Sequence, residues 1–202
     1  MKTRSRREQN RAELRTEILQ AARQAALGKG FESLSMRALA EKLGCSHGNL
    51  YLHFKNKEQL FDCLVEESFA QLSETMRSLK QATSDADPVE FLKLAGRAYV
   101  EFGVQNPGAY EFAFILRRPG RQRWLKPHLA YLELRAIVAR CVEENRFRPI
   151  DVDAASQAVW AAAHGITSLF ILRPSFPWAD KETLIRQVID SAIDSLVADP
   201  SR

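Results

Sequence analysis

Cysteine is scarce in this sequence, and long apolar runs are missing. The three cysteines, Cys45, Cys63 and Cys141, share no Cys-x-x-Cys spacing, which argues against a disulfide framework and against a structural zinc site. No stretch approaches the roughly 18 uninterrupted apolar residues that a membrane span requires. The basic start of the chain has no apolar run behind it, so it does not resemble a secretory signal. We therefore expect a cytoplasmic protein without a membrane partner.

The sequence also lacks the motifs of common enzymes. Its four histidines are scattered, and it contains no His-Glu-x-x-His, no phosphate-binding loop and no nucleophile elbow. No pair of carboxylates lies close together in an apolar setting. We therefore expect no catalytic residue, no metal site and no cofactor.

Helical periodicity dominates what is present. At 202 residues and 46% hydrophobic composition, the chain is long enough to bury a core without covalent staples. Apolar residues recur at intervals of three and four in every long segment, and strand-like alternation is absent, so the predicted fold class is all-α. About nine helices are predicted, over residues 11–28, 35–43, 46–52, 57–79, 88–105, 107–118, 125–145, 152–172 and 180–198.

Positive charge is concentrated at the amino-terminal end. Residues 1–57 hold 12 Lys and Arg against 5 Asp and Glu, whereas residues 58–202 hold 17 against 20. A basic segment on an otherwise mildly acidic chain suits binding to a phosphate backbone, because Lys and Arg release condensed counterions there. A solvated surface that promotes solubility would show the same charge. The shape of the basic segment has to decide between the two.

Residues 35–52 have the layout of a helix-turn-helix, with two short helices joined by a glycine-containing turn. Ser35 and Ser46 are natural N-caps, and Leu50 and Phe54 are the residues of the second helix expected to be buried. The second helix of such a motif enters the major groove. Its polar residues favour DNA binding over an exposed helix without function. The residues expected to project outward are Ser46, His47, Gly48, Asn49 and Tyr51.

A specific pattern continues beyond the second helix. Gly48-Asn49-Leu50-Tyr51-Leu52-His53-Phe54 is followed by Lys55-Asn56-Lys57-Glu58-Gln59-Leu60, so two aromatic residues three apart precede a Lys-Glu-x-Leu that opens a long helix. Upstream lie Ala21-Ala22, Gly30-Phe31, Ser35-Met36-Arg37-Ala38-Leu39-Ala40 and Gly44-Cys45-Ser46. By these motifs residues 11–72, about a third of the chain, resemble the DNA-binding domain of the TetR family of transcriptional regulators.

The resemblance implies roles for individual residues. Tyr51 and Lys57 match positions that family members use on DNA phosphates. Asn49 lies where bases are read and is able to pair bidentately with adenine, while Gly48 permits close approach. The implied DNA-binding residues are Ser35, Met36, Arg37, Ser46, His47, Gly48, Asn49, Tyr51, His53 and Lys57.

Two segments near the carboxyl-terminal end are unusually apolar. Residues 154–172 and 184–197 are apolar nearly all round, so each helix needs burial on more than one side. In a single bundle the last two helices would be outer ones, and their second face needs a partner. A two-fold homodimer through the helices near 152–172 and 180–198 supplies it. The resemblance implies the same dimer, which would present two recognition helices to a palindromic operator.

Aromatic residues are dense between these elements, and the resemblance implies that the middle helices enclose a small-molecule effector. The run Trp160-Ala-Ala-Ala-His164-Gly165 is similar to a subgroup of the family that carries a Trp-His-Gly element. Aromatic residues at helical spacing also fill ordinary cores, and that alternative stays open for each of them. The candidate effector-binding residues are Tyr99, Phe102, Tyr110, Phe114, Trp124, Trp160 and His164.

The sequence thus predicts a basic flexible arm over residues 1–10, a helix-turn-helix DNA-binding domain over 11–72, and an effector-binding and dimerisation domain over 73–202. The predicted function is an effector-responsive transcriptional regulator. Its favoured form is a repressor that binds a palindromic operator as a homodimer and is released by a small molecule. The alternatives are a helical protein-interaction adaptor without DNA binding, an activator, and a cysteine-based redox sensor.

Overall fold

The computed structural model describes residues 6–27, 29–83, 85–116 and 129–198, with side chains from residue 8 onward. Within these ranges the chain forms nine α-helices and no strand beyond an isolated bridge between Phe147 and Val197. The all-α prediction is therefore confirmed. The helices are α1 (Arg6–Ala26), α2 (Met36–Lys42), α3 (His47–His53), α4 (Lys57–Ala82), α5 (Pro88–Gln105), α6 (Pro107–Tyr110), α7 (Leu129–Glu143), α8 (Val152–Leu172) and α9 (Lys181–Asp194).

Helix α1 begins earlier than the sequence predicts. It starts at Arg6 rather than near residue 11, so the second half of the predicted arm is helical. The segment Arg6–Asn10 is polar and carries no apolar stripe, but Arg, Glu and Gln have good helix propensity and nothing in it breaks the helix. The remaining residues of the predicted arm, 1–5, lie outside the described residues.

The chain falls into two compact units, the first formed by residues 1–69 with 108–121 and the second by residues 70–107 with 122–202. Helices α1 to α3 and the first half of α4 build the core of the first unit around Ile18, Leu50, Leu60 and Leu64, which are fully buried. Burial of such apolar side chains contributes about 1.5–3 kcal/mol each. This core fixes the orientation of the two short helices α2 and α3.

A segment from the middle of the sequence completes that core. After α6, a π-helical turn spans Glu111–Ile115 and closes with a 2.7 Å hydrogen bond from the amide of Leu116 to the carbonyl of Glu111. Phe112 is fully buried in the first unit, 5.4 Å from the ring of Phe61. The single helix predicted over residues 107–118 is thus a short α-helix followed by a wider turn.

The second unit is a bundle in which α5 packs against α7, α8 and α9. Gly96 lets α5 pack closely against α9, because a Cβ at this position would lie 2.7 Å from Ile189 Cγ2. Two ion pairs join the same helices. Lys93 Nζ lies 2.8 Å from Asp194, and Arg97 Nη1 lies 3.2 Å from Asp190.

Candidate nucleic-acid interface

Both short helices of the first unit start at a serine cap, as predicted. Ser35 Oγ accepts a 3.3 Å hydrogen bond from the amide of Ala38, and Ser46 Oγ accepts a 3.2 Å hydrogen bond from the amide of Asn49. Each cap satisfies an amide that the first helical turn leaves unpaired. Between the helices the backbone of Gly44 adopts a φ of +62°, a conformation that other residues rarely take. The turn and the two caps set where α3 starts.

Helix α3 is anchored by Leu50 and by its C-cap residue Phe54, and most of its other residues are exposed. Leu50 is 0% and Phe54 1% exposed, which confirms that these two residues face the core. Ser46, His47, Gly48 and Tyr51 are exposed and Asn49 is half-buried. Helix α3 therefore presents polar side chains to solvent.

The outermost line of α3 is formed by Gly48 and Leu52. Each residue of a helix advances the direction by about 100°, so positions 48 and 52 lie on either side of the direction opposite to Leu50. Leu52 is 71% exposed, and a Cβ at Gly48 would meet no atom within 4 Å. Leu52 was not among the predicted DNA-binding residues, although its position opposite the buried leucine could have identified it.

Two aromatic rings form one flank of this line. His47 and Tyr51 lie one turn apart, and their rings meet edge to face at 5.4 Å and 79°. Tyr51 keeps 44% of its surface exposed. The contact restricts the orientation of the phenol ring at the surface of α3.

The two cations among the predicted DNA-binding residues, Lys57 and Arg37, are each paired with an acid. Lys57 Nζ lies 3.4 Å from Glu32 Oε2 and 4.3 Å above the ring of Phe31. Arg37 Nε lies 3.0 Å from Glu41 Oε1. An exposed pair such as Arg37–Glu41 contributes only about 0–1 kcal/mol, so exchanging its carboxylate for a phosphate costs little.

Two predicted DNA-binding residues lie elsewhere. Met36 is 8% exposed and its side chain packs in the core of the first unit, so its place among the DNA-binding residues stays a prediction that the burial of its side chain does not support. Met36 lies within the motif Ser35-Met36-Arg37-Ala38-Leu39-Ala40, but its side chain belongs to the apolar stripe of α2. His53 is half-buried at the end of α3. Burial, reinforced by the charges of Arg11 and Arg15, lowers the pKa of His53 below its ordinary value, so its imidazole is neutral at pH 7.

His53 lines a cleft of about 500 Å³. The same cleft is lined by two arginines that were not among the predicted DNA-binding residues. Arg11 donates to the backbone carbonyl of Leu52 over 3.5 Å. The guanidinium of Arg15 lies 4.6 Å above the ring of Phe54 and 3.7 Å from Cys63 Sγ. The positive charge around α3 therefore includes side chains of α1.

The predicted effector-binding residues separate into two groups. Tyr99, Trp160 and His164 meet in the second unit. Trp160 Nε1 donates to the Tyr99 hydroxyl over 3.4 Å, and this hydroxyl lies 3.3 Å from His164 Nδ1. Burial lowers the pKa of His164, so this cluster is neutral at pH 7. Tyr110 and Phe114 instead pack together in the first unit, with ring centroids 4.9 Å apart.

Two predicted effector-binding residues, Phe102 and Trp124, belong to neither group. Phe102 is 5% exposed and belongs to the buried part of α5, while Trp124 lies outside the described residues. Tyr131 was not predicted, yet its ring lies 6.0 Å from that of Trp160. Its hydroxyl is buried and has no hydrogen-bond partner among the described residues. A buried hydroxyl of this kind is available to a ligand.

One face of α8 consists mainly of small and apolar residues that the described part of the chain leaves exposed or only half-buried. Its buried residues, such as Val159, Ile166 and Phe170, point into the bundle. Helix α8 is also long and apolar enough to cross a membrane, but a packed core helix passes the same test. The opposite stripe follows helical spacing and is exposed or half-buried. It contains Ala158, Ala161, Ala162, Gly165, Ser168, Leu169 and Leu172.

The cysteines differ in environment. Cys45 and Cys63 are half-buried, and Cys141 is fully buried. Burial raises the pKa of the Cys141 thiol to about 11. Because the thiolate is the reactive form, Cys141 is inert at neutral pH.

Comparison with known proteins agrees with this arrangement. Residues 18–64 match the family model described as "Bacterial regulatory proteins, tetR family", and residues 92–194, about half of the chain, match "Tetracyclin repressor-like, C-terminal domain". The Trp-His-Gly subgroup stays a prediction. Among solved structures, a Rhodococcus sp. RHA1 protein of unknown function has a TM-score of 0.76 at 20% identity, covering 92% of this chain and 96% of that one.

Two named regulators are also similar to this chain. PfmR of Thermus thermophilus, a TetR family transcriptional regulator, has a TM-score of 0.63 at 29% identity, covering 88% of this chain and 97% of PfmR. The HTH-type transcriptional repressor AcnR of Corynebacterium efficiens is 40% identical over 62 residues, which are 31% of this chain and 33% of AcnR. The match thus spans about a third of that relative. By its capped helix-turn-helix and the two family matches, the chain belongs to the TetR family of transcriptional regulators.

Proposed function

We propose that the protein is a cytoplasmic repressor that binds a palindromic operator as a homodimer and is released by a small molecule. The observation that carries the proposal is α3, which is anchored by two buried residues and exposes its polar side chains beside a basic surface. AcnR, to which this chain is similar over 62 residues, is named a transcriptional repressor, and this supports repression. The proposed DNA-binding domain spans residues 11–72 and the effector and dimerisation domain residues 73–202.

In this proposal α3 enters the major groove and the surrounding cations contact the backbone. Tyr51 and Lys57 bind phosphates, with Lys57 leaving Glu32 for the DNA. Asn49 reads a base at one edge of α3. Each cation that neutralises a phosphate releases counterions, so binding weakens steeply as salt rises.

The proposed homodimer uses the small-residue stripe of α8 together with α9. Exposed apolar surface of this kind on a soluble protein marks an interaction site. Small residues such as Ala161 and Gly165 let two helices approach closely. A two-fold axis there gives two copies of α3, one for each half-site.

The proposed effector site centres on Tyr99, Trp160, His164 and Tyr131. The four side chains combine aromatic surface with hydroxyl and imidazole groups, which is the usual lining of a small-molecule site. The unpaired hydroxyl of Tyr131 supports the proposal, because a ligand acceptor would satisfy it. An effector that favours one conformation by a few kcal/mol is sufficient to release DNA.

The DNA contacts are tested by measuring fluorescence anisotropy of duplexes from the flanking genomic DNA across a salt series. Tyr51→Ala and Lys57→Ala are expected to weaken binding to all duplexes by similar factors, and Lys57→Ala lowers the salt slope by about one. Asn49→Ala is expected to relax preference at one base pair by about 1–3 kcal/mol.

The matched control is Lys80→Ala, which removes an exposed lysine from the far end of α4 and should leave binding unchanged. A loss confined to one duplex with Lys57→Ala would contradict its role as a phosphate contact. Absence of any salt-sensitive complex would contradict the proposed function and favour the protein-interaction adaptor.

Gly48→Ala is expected to have opposite effects on stability and on binding. A methyl group at position 48 meets no atom within 4 Å, and alanine has the higher helix propensity; since Gly48 lies in the first turn of α3, the gain should be below the roughly 1 kcal/mol of a helix interior. The same methyl group stands between α3 and the DNA, so operator affinity should fall by about tenfold, or roughly 1.4 kcal/mol. Urea unfolding and anisotropy measure the two effects. Equal or tighter operator binding by the variant would contradict close approach at Gly48.

A further inference from the structure

Leu52 is the most exposed large apolar side chain among the described residues, with 71% of its surface accessible. It lies on the outermost line of α3, one turn after Gly48. The backbone carbonyl of Leu52 accepts the bond from Arg11, but its side chain projects away from the core. The packing of the first unit therefore gives no reason for an apolar residue at this position.

The surroundings of Leu52 make its apolar character more specific. Gly48 precedes it on the same line and carries no side chain, so Leu52 extends furthest from α3 on that line. His47 and Tyr51 lie on one flank and Asn49 on the other, and all three carry hydrogen-bonding groups. The exposed surface of α3 thus consists of a single apolar tip between polar flanks.

The major groove offers one apolar group that fits such a tip. Thymine carries a methyl group at C5, whereas the other groove edges present hydrogen-bond donors and acceptors. The leucine side chain has no polar atom and forms no hydrogen bond with those edges. Its contact with a methyl group is favourable because both apolar surfaces are removed from water. A contact with the sugar-phosphate backbone would instead leave the apolar tip beside charged oxygens.

We propose that Leu52 contacts the 5-methyl group of a thymine in each operator half-site and so selects thymine at that position. The inference rests on the proposed function, because it requires α3 to lie in the major groove. It adds a specificity-determining residue and the identity of the base that this residue reads.

Substitution of thymine by deoxyuridine tests the contact, because it removes the methyl group and leaves the hydrogen-bonding pattern intact. Operators are first selected from a randomised duplex library with the full-length protein. Each thymine of a half-site is then replaced singly by deoxyuridine, symmetrically in both half-sites. For the wild-type protein, one position is expected to lose affinity about fourfold per half-site, the value of roughly one buried methylene-sized group.

The same series with Leu52→Ala completes a double-mutant cycle. The deoxyuridine penalty at that one position is expected to disappear, while the penalties at the other thymines stay as in the wild type. Asn49→Ala is the matched control on the same helix and should retain the penalty at the Leu52 position. Leu52→Asn is a second variant that keeps the length and branching of the side chain but makes its tip polar, and it should also abolish the penalty.

The outcomes separate this proposal from the proposed function. If the wild type selects operators but deoxyuridine penalties are equal in wild type and Leu52→Ala at every position, Leu52 does not read thymine and only this inference fails. A uniform loss across all duplexes with Leu52→Ala, without a methyl effect, also overturns it. If the wild type retains no duplex at all, the proposed function fails and this inference fails with it.

Discussion

Ala161→Arg is expected to convert the protein to monomers and to lower operator affinity by about 100-fold or more. Ala161 lies in the middle of the small-residue stripe of α8 and is exposed in the single chain. In the proposed homodimer it faces α8 of the second copy, so the substitution would bury two guanidinium groups close to the two-fold axis. Burying unpaired charges costs several kcal/mol, and the two like charges also repel each other.

The loss of DNA binding follows from the loss of the second α3. Two linked binding units exceed the affinity of one unit by a factor of about 100 to 10,000. Light scattering measures the oligomeric state, and anisotropy with the selected operator measures the affinity at fixed salt.

Ala136→Arg is the matched control, because Ala136 is an exposed alanine on α7 and receives the same charge. This control should remain dimeric and bind the operator as the wild type does. If Ala161→Arg stays dimeric and keeps wild-type affinity, the dimer interface does not include this stripe.

Phe112→Ala is expected to destabilise the first unit by about 3–5 kcal/mol, the range for large-to-small changes at a buried phenylalanine. Phe112 is fully buried against Phe61, so the alanine leaves a cavity. The substitution also removes the ring that lies 5.5 Å below the guanidinium of Arg23. A stability loss of this size is comparable to the whole stability of a small domain.

Hydrogen exchange at the amides of Ile18, Leu60 and Leu64 measures this effect within the first unit, whose core contains all three. Phe112→Leu should restore part of the protection, because leucine fills much of the cavity that alanine leaves. Phe176→Ala removes a phenylalanine that is 57% exposed and should leave these amides unaffected. Unchanged protection in Phe112→Ala would show that the ring does not contribute to this core.

The parts of the structure that depend on neighbouring residues were predictable from the sequence. The caps at Ser35 and Ser46 use amides three residues away, and the burial of Leu50 follows from helical spacing. The contact between Trp160 and His164 is also local, because residues four apart share a helix face.

Contacts between distant residues were not predictable in this way. Nothing in the spacing of residues 107–118 indicates that Phe112 enters the core of the first unit, since Phe61 lies far away in sequence. The pairing of Lys57 with Glu32 likewise joins two separate elements. For Tyr99 and Tyr110, one aromatic pattern predicted a common site, and tertiary packing divides them between two units.

The first unit is assembled from two stretches of chain with α5 between them, and this affects how regulators of this type can be recombined. A chimera that exchanges only the amino-terminal stretch would place one protein's Phe61 and Arg23 against another protein's residue at position 112. Functional grafts should therefore carry residues 108–116 along with the helix-turn-helix. In evolutionary terms, substitutions at positions 23, 61 and 112 have to be compatible with one another although they are encoded far apart.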